Sequence, residues 1–415
     1  MFDDSYKFTC VERFLRYVKY DTQSDDDSQS FPSTEKQKNL SKDLAKELKE
    51  LGLEDANMDD NGYVMATLPS NTKKDVPAIG FIAHVDTSPA VTGANVNPIV
   101  NKNYQGGDIK LQKGNVVIKE SENPDLKNMK GFDIITADGT TLLGADNKAG
   151  VAEIMDAVNY LLIHPEVKHG AIKICFTPDE EVGRGTEKFD VKRYGAQYAY
   201  TVDGQSRGEV ETESFSADGV TIKFLGKNIH PGYAKGIMIN SMKVASAFIE
   251  SLPKDKLSPE TTDKREGYVH PVSFNGNEEL TTVKFIIRDF ITGKLAEYEN
   301  ILKNLSQEAV KKFPGAKFEF VVTEQYRNMK EILNQHPQVE EYAVEAMKRY
   351  GIKPIMNPIR GGTDGSKLSF MGLPCPNIFA GEHSFHSKEE WVAVQDMEMA
   401  VKIIVEISKI WEERA

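Results

Sequence analysis

Apolar positions change period along the chain, and each change marks a switch between helix and strand. Residues 8–20 repeat at helical spacing until the polar run Thr22 to Ser30 interrupts them as a loop. Thr34 and Gln37 have the spacing of a capping box, which predicts a helix from there to Leu51-Gly52, where glycine ends it. Apolar runs then predict strands at 62–68, 78–86, 171–177 and 198–203, with a helix at 147–163 ahead of Pro165. Strands that are apolar along their whole length and alternate with helices belong to a mostly parallel sheet covered on both faces.

From Ser214 the order is strand 216–226, helix 240–252, strands 268–276 and 281–288, helix 293–313 and strand 316–323. That β-α-β-β-α-β order is the split arrangement of a ferredoxin-like domain. After Tyr326, helices at 329–350 and 394–413 flank a short strand near 376–380. The expected fold class is therefore α/β, with a discontinuous main domain, 1–213 and 326–415, interrupted by an inserted domain at 214–325.

Of the 415 residues, 40% are hydrophobic and 27% charged, enough for a large core and a solvated surface. The net charge of -12, with no Lys/Arg cluster, argues against nucleic acid and against a polybasic membrane patch. Cys10, Cys175 and Cys375 are too scattered for a disulfide framework or a cysteine zinc site. The first residues, MFDDSYKFTCVERFLRY, lack a signal-peptide pattern, and no run nears the ~18 apolar residues of a membrane span. A cytoplasmic location is the expectation.

The polar residues at the strand ends change the picture. His84-Val85-Asp86 closes the apolar run 78–86, and positions i and i+2 share a face, so imidazole and carboxylate can converge. A metal-binding histidine commonly gives its second N–H to a carboxylate; the same tripeptide also describes a strand leaving the core. Asp146 stands where a glycine-flanked loop becomes a helix. An N-cap role accounts for it, but not for the small residues Gly144, Ala145, Ala149 and Gly150 around it, which let a ligand approach the backbone. Glu180-Glu181 follows strand 171–177. These acids make a solvated turn, or else one binds a metal while the other moves a proton. Asp203 ends a fourth strand, and His383 and His386 follow the short strand near 376–380. Histidine is a common zinc donor, with His383 read as structural or as a support to a neighbouring ligand. His84, Asp146, Glu181, Asp203 and His386 all fall at carboxyl ends of predicted strands, where open α/β sheets bind ligands. Two imidazoles and three carboxylates suit a pair of zinc ions bridged by one carboxylate.

These residues sit in eight blocks, among them His84-Val-Asp86-Thr, Thr140-Thr-Leu-Leu-Gly-Ala-Asp146-Asn-Lys-Ala-Gly150, Thr177-Pro-Asp-Glu180-Glu181-Val-Gly183 and Val202-Asp203-Gly. The others are Asn228-Ile-His230-Pro-Gly, Ile287-Arg288-Asp-Phe, Ile359-Arg360-Gly-Gly-Thr-Asp-Gly365 and Phe385-His386. In their order and spacing the chain resembles, over essentially its whole length, the peptidase T family, the tripeptide aminopeptidase branch of the di-zinc exopeptidases. The resemblance implies two Zn2+ per subunit, with Asp146 bridging them, His84 and Asp203 completing one position, and Glu181 and His386 the other. It also implies that Asp86 holds the His84 ring and that Glu180 is the general base. The inserted domain would be a lid that brings His230 to the oxyanion, with Arg288 and Arg360 as substrate-carboxylate or oxyanion contacts. Expected partners are small peptide substrates, with the chain a monomer or homodimer. The chain departs from the pattern at Gly381-Glu-His-Ser-Phe385, where relatives more usually carry a second glycine and then an aromatic. Two rivals remain: a dipeptidase or N-acyl amino acid deacylase on the same metals, and a non-catalytic binding protein, which would be expected to have lost the base or a ligand.

Overall fold

In the computed structural model, which describes residues 2–415, the apolar runs assemble into one seven-stranded sheet. Its strands, in spatial order, are Asn57–Met58, Val64–Leu68, Ile172–Thr177, Ile79–His84, Tyr198–Gly204, Asn377–Phe379 and Val210–Glu211. The four central strands run parallel, and the outer ones pair antiparallel. Alternate side chains enter two cores. Phe81, Ala83, Ile174, Phe176, Tyr200 and Val202 pack with helices Ala145–Ile163 and Val394–Glu413. Ile82, Cys175 and Ala199 pack on the other side with Leu368 of helix Asp364–Phe370. Burial on both faces is why these strands are apolar throughout.

Register places the chemistry. His84 is level with Thr177, and Ile82 with Thr201, so the polar residues that end these strands emerge at one rim. A second, antiparallel sheet joins Glu382–His383, Trp391–Ala393, Ile134–Thr136 and Ile99–Asn101. The segments that carry Asp146 and His386 both leave this small sheet.

Residues up to Thr212 with Glu331–Asn357 and Thr363–Ala415 form one compact unit, and Glu213–Lys330 with Pro358–Gly362 form the other. The second has its own antiparallel sheet, ordered Tyr268–Gly276, Leu280–Asp289, Ser216–Leu225, Lys317–Tyr326, with helices Ser241–Glu250 and Gly293–Lys311. This is the expected β-α-β-β-α-β order. Val220, Ile222 and Phe224 alternate inward with Val283, Phe285 and Ile287 against Phe248 and Leu302. Burying each such side chain contributes ~1.5–3 kcal/mol.

Two local expectations fail for identifiable reasons. Helix Gln37–Glu50 has no side-chain cap. The Gln37 amide does donate to Thr34 Oγ1 (3.2 Å), but it also donates to Asp179 Oδ1 (2.7 Å) and accepts from Asp179 N (3.1 Å). Tertiary bonding has thus taken over the side chain a capping box requires. The helix expected at 329–350 is two, Lys330–Leu333 and Pro337–Arg349, because Pro337 has no N–H to continue a helix and favours starting one. Among the described residues, no helix is long and apolar enough to cross a membrane.

Candidate metal centre

His84 is the last residue of its strand and 2% exposed. Its Nδ1 faces the Asp86 backbone carbonyl (3.1 Å) and the Asp86 carboxylate (3.3 Å), while Nε2 faces Asp146 Oδ1 (2.8 Å) and Asp203 Oδ1 (3.4 Å). Asp86 therefore fixes the ring from behind. The same carboxylate accepts from the amides of Glu180 (3.1 Å) and Glu181 (3.2 Å), tying the loop after the neighbouring strand to the ring.

Asp146 is not the N-cap of its helix. Gly144 holds that position at φ +83°, a left-handed conformation costly for other residues, and Asp146 itself is non-helical. The turn is held by Glu390, which accepts from the amides of Leu143 (2.7 Å), Gly144 (2.8 Å) and Asp146 (3.0 Å). Gly150 has a steric reason: a Cβ there would collide with the carbonyl of Val202, next to Asp203. So held, Asp146 turns Oδ1 to His84 and Oδ2 to His386 Nε2 (3.1 Å). His386 also faces Glu181 Oε2 at 2.7 Å. Both Ser384 and His386 have positive φ, +51° and +58°, a backbone unusual for such residues and frequent at functional sites.

The electrostatics follow from this crowding. Burial works against a charged His84, yet Asp203 and the bonds to Asp146 and Asp86 raise its pKa well above the ordinary value. His386, likewise opposed by burial, is pushed to about 10 by Asp146 and Glu181. Burial raises Asp146, but its two histidine partners win and hold it below the usual carboxylate range. Burial and the Asp146 charge push Glu181 to about 8. Burial also pushes Glu180 well up, with His84 opposing and Asp364, Asp203 and Glu181 adding to the rise.

A divalent cation suits this donor set. Ligand atoms of His84, Asp146 and Glu181 lie within 4.8 Å of one another, as do those of Asp146, Asp203 and Glu382. Glu181 Oε1 is buried without a hydrogen-bond partner among the described residues, and Asp203 Oδ1 has no closer contact than the 3.4 Å ion pair to His84; buried charges need pairing or a metal.

The structure thus brings together His84, Asp86, Asp146, Glu180, Glu181, Asp203 and His386. His383 stands apart, its ring stacked on Trp391 at 3.9 Å between centroids and its Nδ1 3.5 Å from Asp125. His230, Arg288 and Arg360 belong to the second unit. There His230 Nδ1 accepts from Gly232 N (3.1 Å), Arg288 lies over the Tyr326 ring, and Arg360 donates to the carbonyl of Lys264 (2.6 Å). Sequence reasoning passed over Glu382 and Glu390. Their signal was faint: one sits at the departure from the family pattern, the other in an acidic pair before Trp391, as Glu180-Glu181 follows its strand.

The profile of Peptidase family M20/M25/M40 matches residues 131–409. Peptidase T of Geobacillus sp. (strain WCH70) is 51% identical, covering 98% of this chain and 99% of its own. Peptidase T of Clostridium acetobutylicum is 50% identical, covering 97% and 99%. Among solved structures, aminopeptidase PepT from Bacillus cereus superposes with a TM-score of 0.75 at 23% identity, covering 97% of this chain and 98% of that one. A Bacillus subtilis M20-family protein described as a dinuclear metal binding peptidase gives 0.66 at 14% identity, covering 98% of each chain.

Proposed function

The chain belongs to Peptidase family M20/M25/M40, and from that premise we propose how it works as a tripeptide aminopeptidase, through a pair of zinc ions held at the sheet rim. One observation carries the reading: the two oxygens of Asp146 each face a different imidazole, as a carboxylate shared between two ions would. His84 and Asp203 would hold one ion with Asp146, and Glu181 and His386 the other. Bound there, the ions supply Lewis acidity and lower the pKa of a water toward ~7.

The chain's own residues do the rest. With an ion bound, Asp86 would keep the proton of His84 on Nδ1 and so leave Nε2 as the donor atom. Glu180 takes a proton from the attacking water on a carboxylate oxygen and returns it to the leaving amine nitrogen. A carboxyl raised in pKa by burial suits both halves of that transfer. His230, Arg288 and Arg360 are proposed as substrate contacts on the strength of the blocks they occupy, guanidinium being matched to carboxylate.

The deciding assay measures metal content alongside release of the N-terminal residue from tripeptides, with dipeptides, tetrapeptides and N-acyl amino acids as competitors. Tripeptides turned over fastest, with two zinc ions per chain, are the expected result. Preference for dipeptides or N-acyl amino acids would instead make the chain a dipeptidase or deacylase.

A further inference from the structure

A carboxylate absent from the five donors named above reaches the Asp203 side of the centre. Oxygens of Asp146, Asp203 and Glu382 lie within 4.8 Å of one another. Glu382 is 1% exposed, and its Oε2 has no hydrogen-bond partner among the described residues. Its backbone is fixed by pairing with Val392 in the small sheet. Glu390, also buried and only eight residues on, makes a useful contrast. Three backbone amides satisfy it, so structure alone accounts for its burial. Among the described residues no comparable set of amides is seen for Glu382, on which the charges of Asp146, Asp203 and Glu390 bear, with His84 opposing them. Three acids packed together in a buried rim repel one another unless one takes up a proton or a cation lies among them, and an oxygen left without a hydrogen-bond partner suits the cation.

We propose that Glu382 is a further ligand of the cation held by His84 and Asp203, and that it shifts this position's preference away from Zn2+ toward a harder divalent cation such as Mn2+. The proposal rests on the reading of the site given above. With Glu382 this position has one imidazole and three carboxylates, whereas the other has one imidazole and the carboxylates of Asp146 and Glu181. Zn2+ outranks Mn2+ at a given donor set, but carboxylate oxygens suit Mn2+ while imidazole suits Zn2+. Each added carboxylate therefore narrows the gap. The two positions are accordingly unequal.

The test uses the full chain, stripped of metal by a chelator and titrated with Mn2+ or Zn2+. Calorimetry and the electron paramagnetic resonance signal of free Mn2+ report binding to wild type, Glu382→Gln and Glu382→Gly. Circular dichroism and thermal melts of the metal-free forms check that each variant folds; Glu382→Gln keeps the shape, and Glu382→Gly removes the side chain altogether. Expected is a fall in Mn2+ affinity at one of two positions on the order of 10–100-fold in both variants, with a smaller fall for Zn2+. Two cations bound with unchanged affinities in Glu382→Gln would overturn the proposal and leave the five-donor reading standing. Equal losses for Mn2+ and Zn2+ would overturn the claimed preference. A wild-type chain that binds neither ion would remove both the proposal and the reading beneath it.

Discussion

His84 and His386 face opposite oxygens of one carboxylate, yet the chain holds them in contrasting ways. His84 ends a central strand, is 2% exposed, and has Asp86 behind it and Asp146 and Asp203 before it. His386 lies on a loop, its side chain 43% exposed, and reaches Asp146 and Glu181 only because the backbone adopts φ +58°. Sheet register fixes the first arm, and a single loop conformation fixes the second. Ligands on rigid elements are placed more precisely than ligands on loops. The His84 position is thus expected to bind its ion more tightly, and the His386 position to exchange more readily.

The largest effect comes from a residue that belongs to neither arm. Glu180→Gln is expected to lower kcat by about 10²–10⁴-fold with two ions still bound per chain; lost metal with normal turnover would remove its role as base. Exchanging each histidine for alanine tests the comparison directly. After dialysis, His386→Ala should retain one ion and His84→Ala less, with the His84 change weakening binding the more. Equal metal contents by mass spectrometry would erase the distinction. Asp86→Asn should cost about 10–100-fold in affinity at the His84 position and also lower kcat, since Asp86 holds the amides of Glu180 and Glu181. A loss confined to the His386 position would contradict that arrangement.

The smallest effect concerns stability at the start of the Asp146 segment. Asp138 accepts from Thr140 N (3.0 Å), Thr140 Oγ1 and Lys113 Nζ (2.9 Å). The Thr140 hydroxyl, against some burial cost and with Lys113 helping, holds its carboxyl well below the ordinary range. A depressed folded-state pKa stabilises the fold above the unfolded value of ~3.9, and that contribution fades as pH falls toward the folded value. Asp138→Asn should therefore cost about 1–3 kcal/mol at pH 7 and progressively less below pH ~4, by denaturant titration. A cost independent of pH would show that the charge does not matter there.

What the sequence made legible follows the same division. Strands buried on both faces announce themselves by unbroken apolar runs, so the rim carrying His84, Glu181 and Asp203 could be read directly. So could the alternating pattern of the second unit. Loops carry no period. No periodicity in Gly381-Glu-His-Ser-Phe-His386 tells which histidine faces Asp146; only the resemblance singled out His386, and positive φ at Ser384 and His386 sets the loop that presents it. Glu382 and Glu390 were hidden for a related reason, since short strands of two and three residues set their placement. Thr34 and Gln37 show the converse failure: a genuine local motif was outbid by Asp179, distant in sequence.

Gly150 gives the architecture a tolerance limit. The helix that follows Asp146 rests against the carbonyl of Val202 with no room for a methyl group, and Asp203 is the next residue along that strand. One hydrogen atom thus acts as the spacer between two acids of the candidate centre that are 57 positions apart in a chain of 415. A side chain there would press on Val202 and Asn147, the residues next to Asp203 and Asp146, so the site's dimensions are written partly in a residue that offers it no donor atom.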